Sequence, residues 1–189
     1  MSTVDADLLS LVASKLGEPP ALAEGTGNGS LLTLAASAYG AHSADATQPT
    51  GFDPQVAALF EAMVEGAFLV ANADGEFDAA ERDAFQHVVS TACAGTVRKE
   101  QVSALLSDLA DQLAEDGLDK RVEMIGKTVR RPEHAREVLR IASLLAQVSG
   151  GVDRAERDVL GKLTGHFGLD AAELDRVVSE AERAVRAAP

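Results

Sequence analysis

An internal repeat is the feature that most limits how this chain can fold. The segment at residues 72–83, NADGEFDAAERD, is repeated at 147–158 as QVSGGVDRAERD. The two segments are identical at six positions, with a constant offset of 75 and no gap. The same offset matches apolar residues on both sides of the turns: Ala67, Leu69, Ala71, Phe85 and Val88 correspond to Ala142, Leu144, Ala146, Leu160 and Leu163. Each copy predicts a long apolar helix, a glycine turn and a helix that begins with an acid. The chain should therefore contain two similar halves.

The rest of the sequence also has helical periodicity, and no segment alternates apolar and polar residues as a strand would. Gly, Pro and N-cap residues separate the apolar-periodic segments, and Thr96 is predicted to cap the helix that follows it. The predicted helices cover 5–16, 31–39, 54–73, 79–93, 97–115, 119–130, 133–148, 154–167 and 171–186. The predicted fold class is all-α, a helical bundle of two pseudo-symmetric halves around two central apolar helices at 56–72 and 138–148.

Residues 1–53 are predicted to form an N-terminal extension of one helical domain at 54–189. The extension holds two short helices separated by the breaker-rich segment EPPALAEGTGNG, and AHSADATQPTGFD then has the composition of a linker. The sequence is compatible with both a docked and a mobile extension.

The repeat also pairs two opposite charges in the central helices. Glu65 corresponds to Arg140 at the offset of 75. The two side chains are therefore predicted to meet across the pseudo-two-fold axis.

The charge distribution favours some classes of partner over others. The net charge is −13, and residues 1–95 carry thirteen acidic residues but only two basic ones. A nucleic acid would be repelled by this half of the chain, whereas a cation or a basic protein surface would be attracted. The single cysteine, Cys93, excludes an internal disulfide, and the acidic N-terminus is unlike a secretory signal. We expect a cytoplasmic protein.

Some of the repeated carboxylates have a structural explanation. Asp78 with Glu81 and Asp153 with Glu156 both have the spacing of a capping box, in which the acids satisfy free backbone N–H groups at a helix start. Each cap contributes about 1 kcal/mol to helix stability. Capping is therefore the first interpretation of these four residues.

Capping does not account for Asp74 and Glu76, because the second copy has Ser149 and Gly151 in their places. Acids crowded on one turn repel one another unless a cation, water or a partner compensates them. Carboxylate oxygens suit a hard divalent cation, Ca²⁺ or Mg²⁺ rather than Zn²⁺. The spacing differs from that of an EF-hand. The candidate metal ligands are Asp74, Glu76, Asp78 and Glu81, with Asp153 and Glu156 as secondary candidates; a merely solvated acidic turn is the other interpretation.

No paired catalytic groups are visible in the sequence. It lacks the Glu-x-x-His pairs of a di-iron bundle, the His-Glu-x-x-His zinc motif and a phosphate-binding loop. Cys93 has the setting of a small core residue. We expect no enzymatic activity and no catalytic residues.

The two repeated segments resemble the tellurite-resistance TerB family and the wider class of TerB-like helical domains. FEAMVEGAFLVANADGEFDAAERDAF at 60–85 is similar to the first motif of that family, and 137–174 is similar to the second. The resemblance covers about 55–180. It departs from the family pattern at Ser149-Gly150, where the family usually has Asp-Gly.

The resemblance implies an all-helical bundle of two similar halves and a role in bacterial tellurite-resistance and stress systems. It also implies metal sensing and a partnership with a membrane-embedded TerC-type protein, which would bring a cytoplasmic protein to the inner face of the membrane. The family's acidic positions map onto Asp74, Glu76, Asp78 and Glu81 in the first copy and leave Asp153 and Glu156 in the second.

Two hypotheses of different classes follow. In the first, the protein is a cation-responsive stress protein in which the acidic turn binds a divalent ion. In the second, it is a metal-free acidic adaptor whose surface at 54–95 docks on a basic protein partner. Only the first predicts that a divalent ion alone changes the stability of the protein.

Overall fold

The computed structural model describes residues 5–19, 29–41 and 53–186, and these ranges contain helices and no strand. A 3-10 turn, Gln147–Ser149, follows directly on the seventh helix. The α-helices are α1 (Ala6–Gly17), α2 (Leu31–Ala41), α3 (Pro54–Ala71), α4 (Ala79–Ala92), α5 (Lys99–Asp116), α6 (Leu118–Thr128), α7 (Pro132–Ala146), α8 (Arg154–His166) and α9 (Ala171–Arg186). The predicted all-α class is confirmed. The pseudo-two-fold relation between the halves stays a prediction.

The centre of the bundle is the contact between α3 and α7, the two helices that the sequence marks as central. Both are buried along most of their length because apolar residues occupy most of their circumference. Gly66 permits their close approach, since a Cβ atom at this position would lie 2.6 Å from Cγ1 of Val138. The remaining helices pack around this pair.

Helix α3 also has the length and apolar composition of a membrane span, with a mean hydropathy of 1.3 over 18 residues. However, 67% of that window is buried inside the protein. In this structure the apolar side chains of α3 pack in the interior of the bundle.

Both described helices of the N-terminal extension dock on the predicted domain. Helix α1 packs mainly on α4 and also contacts α7 and α9, while α2 lies on α3. The ring of Tyr39 in α2 lies 4.7 Å from that of Phe60 in α3, measured between centroids. Of the two arrangements compatible with the sequence, these helices adopt the docked one. The predicted linker at 41–53 lies largely outside the described residues, as does 20–28.

The predicted pair between Glu65 and Arg140 is wrong, because each charge has a nearer partner. Glu65 is buried in α3 and accepts a 2.6 Å hydrogen bond from Nε of Arg121 in α6. Burial raises the pKa of Glu65, and the Arg121 guanidinium opposes this rise. Arg140 instead pairs with Glu137 one turn away, at 2.7 Å. The remaining N–H groups of Arg140 point to the end of α1, a helix that the repeat does not include.

One predicted cap is also wrong. Helix α5 begins at Lys99 rather than after Thr96, and its N-cap position is Arg98. The backbone N–H of Arg98 donates to Oε1 of Gln101 at 2.9 Å. The local sequence therefore favours a start two residues later than the threonine suggested.

The contact at Gly66 gives a stability test. We expect Gly66→Ala to lower the free energy of unfolding by about 1–3 kcal/mol, because the new methyl group collides with Val138 in a packed interior. Gly161→Ala is the matched control: Gly161 is an exposed helical glycine with open space around it, so its replacement should stabilise the protein by up to about 1 kcal/mol. Urea unfolding of both variants measures the two effects, and equal responses would contradict the proposed close contact.

Candidate functional site

The first glycine turn is held in shape by its own acid. After α3 ends at Ala71, Oδ1 of Asp74 accepts a hydrogen bond of 2.9 Å from the backbone N–H of Glu76. Gly75 lies between them with φ of +83°, in the left-handed region that favours glycine. The carboxylate of Asp74 is therefore fixed by the turn, and both Asp74 and Glu76 are exposed.

Phe77 anchors the same turn to the core. Its ring meets those of Phe68 and Phe85 edge-on, with centroids 5.7 and 5.9 Å away. The guanidinium carbon of Arg82 lies 5.6 Å above the Phe77 ring, within the range of a cation–π contact. This packing holds the start of α4 against the end of α3.

Both predicted capping boxes are confirmed. Oδ1 of Asp78 accepts from the backbone N–H groups of Ala80 and Glu81, and Oε2 of Glu81 accepts from that of Asp78 at 3.1 Å. In the second copy, Asp153 accepts from Glu156 N–H at 2.8 Å and Glu156 accepts from Asp153 N–H at 2.9 Å. These bonds stabilise the first turns of α4 and α8.

The two turns of the repeat lie next to each other. The C-terminal ends of α3 and α7 adjoin, since Ala71, Leu145 and Ala146 line one small apolar pocket of about 40 Å³. Beside this pocket lies a second cavity of about 160 Å³. Its walls come from both copies: Ala71, Ala73, Asp74, Glu81, Ser149, Gly151, Asp153 and Glu156.

We call this cavity the acidic cleft and define it by Asp74, Glu81, Asp153 and Glu156. The predicted site residues are thus divided by the structure. Asp74 and Glu81, from the primary set, face the two secondary candidates Asp153 and Glu156. Glu76 and Asp78 are exposed and lie outside the residues that line this cavity. The sequence supplied all four cleft residues but assigned the site to one turn.

Among the four cleft residues, Glu156 is the one whose pKa is most affected by its surroundings, and it is only 9% exposed. The pKa of its carboxyl is raised to about 7, chiefly by burial; the bond to the Asp153 backbone lowers it, and the charges of Asp153, Asp74 and Glu81 add to the rise. Near neutral pH, Glu156 therefore holds a proton part of the time. A cation in the cleft would favour its charged form.

The cleft offers oxygen atoms that the backbone does not use. The hydrogen bonds of Asp74, Glu81, Asp153 and Glu156 each engage one carboxylate oxygen, so the second oxygen of each is available to a ligand. This all-oxygen donor set suits Ca²⁺ or Mg²⁺. However, within the three described ranges no group of three or more His, Cys, Asp and Glu side chains is arranged to hold a metal ion as it stands. Binding would require the side chains to close on the ion.

The single thiol of the chain, Cys93, is not a second candidate for a reactive group. Cys93 is buried at the end of α4, and burial raises its pKa to about 12. The thiol therefore stays protonated at neutral pH and is a poor nucleophile. Its position agrees with the prediction of a small core residue.

The fold and cleft define an all-α bundle in which two copies of a helix–turn–helix unit present their acidic turns to one another. The sequence matches the family described as tellurite resistance protein TerB over residues 60–179. This match covers more than half of the chain, which therefore belongs to the TerB family, as the two motifs had indicated. No curated protein and no solved structure matches the chain. The matched range contains the whole acidic cleft, whereas α1 and α2 precede it.

The position of Glu156 predicts how stability depends on pH. Its carboxyl has a pKa of about 7 when folded, above the ordinary value of 4.5, so between these values the folded protein retains a proton that the unfolded chain has released. The stabilising contribution is complete below pH 4.5 and is lost as the pH rises through about 7. Glu156→Gln keeps an oxygen that can accept the capping hydrogen bond, but its side chain no longer binds or releases a proton.

We therefore expect the free energy of unfolding of Glu156→Gln, relative to that of the wild type, to increase as the pH is raised from 4.5 to 8. The gain should be about 1 kcal/mol, because water at the mouth of the cleft screens the charges. Urea unfolding at both pH values, without divalent ions, measures it. Asp111→Asn, on the exposed side of α5, is the control. If the difference in free energy of unfolding between the wild type and Glu156→Gln is the same at both pH values, the raised pKa of Glu156 is contradicted.

Proposed function

We propose that this TerB-family protein is a non-enzymatic tellurite-resistance or stress-response protein that binds a divalent cation in the acidic cleft. The observation that supports the proposal is the convergence of Asp74 and Glu81 from one copy with Asp153 and Glu156 from the other. Carboxylates from separate segments repel one another unless an ion compensates them. A shared ion would join the two halves of the repeat.

The side chains would bind the ion through the oxygens that the capping bonds leave available. Asp74 would contribute from the turn, Glu81 from the first turn of α4, and Asp153 with Glu156 from the start of α8. The ion would neutralise mutual repulsion and displace the proton of Glu156. Hard oxygen ligands favour Ca²⁺ or Mg²⁺ over Zn²⁺.

The proposed setting of the protein follows from its family and its charge. We place it in the cytoplasm, where a membrane-embedded TerC-type protein is the partner that the family resemblance suggests. The acidic excess of residues 1–95 would favour a basic surface on such a partner. Ion binding would alter the charge and stiffness of the turns that the partner could contact.

A second candidate function is that of a metal-free acidic adaptor. Glu76 and Asp78 on the first turn and Asp111 and Glu115 on α5 are exposed, and none of them takes part in the ion pairs of the described residues. The ion pairs of α6 to α9, by contrast, join six of the ten acids in these helices to bases. This uneven distribution favours a basic protein partner at the first turn and α5.

A thermal melt of the metal-stripped protein with and without millimolar Ca²⁺, Mg²⁺ or Zn²⁺ separates the two functions. At an ion concentration 100 times its dissociation constant, we expect a stabilisation of about 2.7 kcal/mol. This should appear as a rise in Tm of several degrees. The double variant Asp74→Asn/Glu156→Gln should lose the rise, because it removes one carboxylate from each side of the cleft.

Two further variants make the test specific. Asp111→Asn/Glu115→Gln removes the same amount of charge from α5, outside the cleft, and should retain the full ion-dependent rise. Glu76→Gln should also retain it, whereas a single-turn site made of Asp74, Glu76, Asp78 and Glu81 would lose it. If no ion shifts the wild-type Tm, and the cleft variant is as stable as the wild type or more so, the adaptor function is favoured instead.

A further inference from the structure

Helix α1 lies outside the region that matches the TerB family, yet it contacts two elements that carry residues of the acidic cleft. It packs along α4, which carries Glu81, and it contacts the 3-10 turn that carries Ser149. Both residues line the cleft. A docked α1 therefore connects one element of each copy of the repeat.

Arg140 fixes the C-terminal end of α1 to the bundle. Its Nη1 donates to the backbone oxygen of Lys15 at 2.9 Å, and its Nη2 donates to those of Leu16 and Glu18 at 3.4 and 3.2 Å. The same guanidinium is oriented by two hydrogen bonds to Glu137, a side chain that is only 2% exposed. The final carbonyl groups of α1, which its own helix cannot satisfy, are thus held by a cation of α7.

Helix α1 depends on this docking for its structure. It has 12 residues, which is marginal for an isolated helix in water. Its buried apolar contacts come from Val12, Ala13 and Leu16. An open cavity of about 570 Å³, lined by Lys15, Glu18 and Arg140 among others, admits solvent to the end that Arg140 holds. Undocking would therefore unfold α1 without unfolding the bundle, as small elements with few buried contacts commonly do.

We propose that docking of α1 and cation binding in the acidic cleft are coupled. The docked helix braces α4 and the 3-10 turn in the positions that bring the carboxylates of the two copies together. A cation that holds the carboxylates together in turn favours the surface on which α1 docks. The inference rests on the proposed cation function, and it assigns the N-terminal extension a regulatory role at the same site.

Coupling of this kind is reciprocal, and this makes it measurable. The factor by which saturating Ca²⁺ lowers the equilibrium constant for undocking of α1 must equal the factor by which docking tightens Ca²⁺ binding, and we expect a factor of about ten. Hydrogen exchange of the α1 amides measures the first quantity in the full-length protein. Isothermal titration with Ca²⁺ and with Mg²⁺ measures the second, in the wild type and in Arg140→Met.

Arg121→Met is the matched control for Arg140→Met. Both substitutions remove a partly buried arginine from a pair with a buried glutamate, but Arg121 joins α6 to α3 and is not bonded to α1. Leu16→Ala provides a second way to loosen α1, from within the helix, should Arg140→Met fail to fold. Exchange of the α5 amides in the same samples reports any global loss of stability.

The proposal expects faster α1 exchange and about tenfold weaker Ca²⁺ binding in Arg140→Met and in Leu16→Ala, with neither change in Arg121→Met. Ca²⁺ should slow α1 exchange in the wild type by the same factor. If the wild type binds Ca²⁺ but α1 exchange is unaffected and the Arg140→Met affinity is unchanged, the coupling is overturned while the cation function stands. If neither Ca²⁺ nor Mg²⁺ binds the wild type, both the coupling and the cation function are overturned.

Discussion

The rest of the structure depends on the close contact between α3 and α7, where Gly66 lies against Val138. Helix α3 is apolar on nearly all sides, so it is stable in water only at the centre of a bundle, and α7 is the helix it meets most extensively. Their C-terminal ends then lie together, and the two acidic turns leave the core from the same place. The acidic cleft is therefore produced by apolar packing. The carboxylates themselves repel one another and would separate if the core did not hold them.

Local hydrogen bonds explain how the chain tolerates this concentration of charge. Glu81 and Glu156 occupy the first turns of α4 and α8, where the positive ends of the helix dipoles favour acids. Asp74 is held by a backbone N–H of its own turn, and Asp153 by one from α8. Each acid thus has a structural partner before any ligand arrives. Burial, together with the remaining repulsion, raises the pKa of the most buried member, Glu156.

The sequence predicted those features that depend on short-range pattern. Periodicity identified the helices of the described residues, and Asp-x-x-Glu spacing identified both capping boxes, because these signals lie within a few residues of one another. The composition of the acidic cleft was predicted only in part. The carboxylates of one turn are adjacent in sequence, so Glu76 and Asp78 were grouped with Asp74, although their side chains lie outside the cleft. Asp153 and Glu156 complete the cleft only because α3 packs against α7.

The predicted pair between Glu65 and Arg140 was wrong for a similar reason. The repeat contains no counterpart of α1, whose carbonyl groups accept hydrogen bonds from Arg140.

The differences between the two turns affect the wall of the shared cleft. Ser149 and Gly151 stand where a strict copy of the first turn would place an aspartate and a glutamate, and both line the cavity. Two more carboxylates there would repel the four already present, and their side chains would fill the space between the copies. Gly151 also has φ of +102°, a conformation that a glutamate would adopt only with strain, whereas its counterpart Glu76 is not among the residues with positive φ. The second turn therefore carries less charge and side-chain volume at the positions that form the wall, and it carries Asp153 and Glu156 at the positions that face the first copy. Neither turn could form this cleft alone, because its walls come from both copies of the repeat.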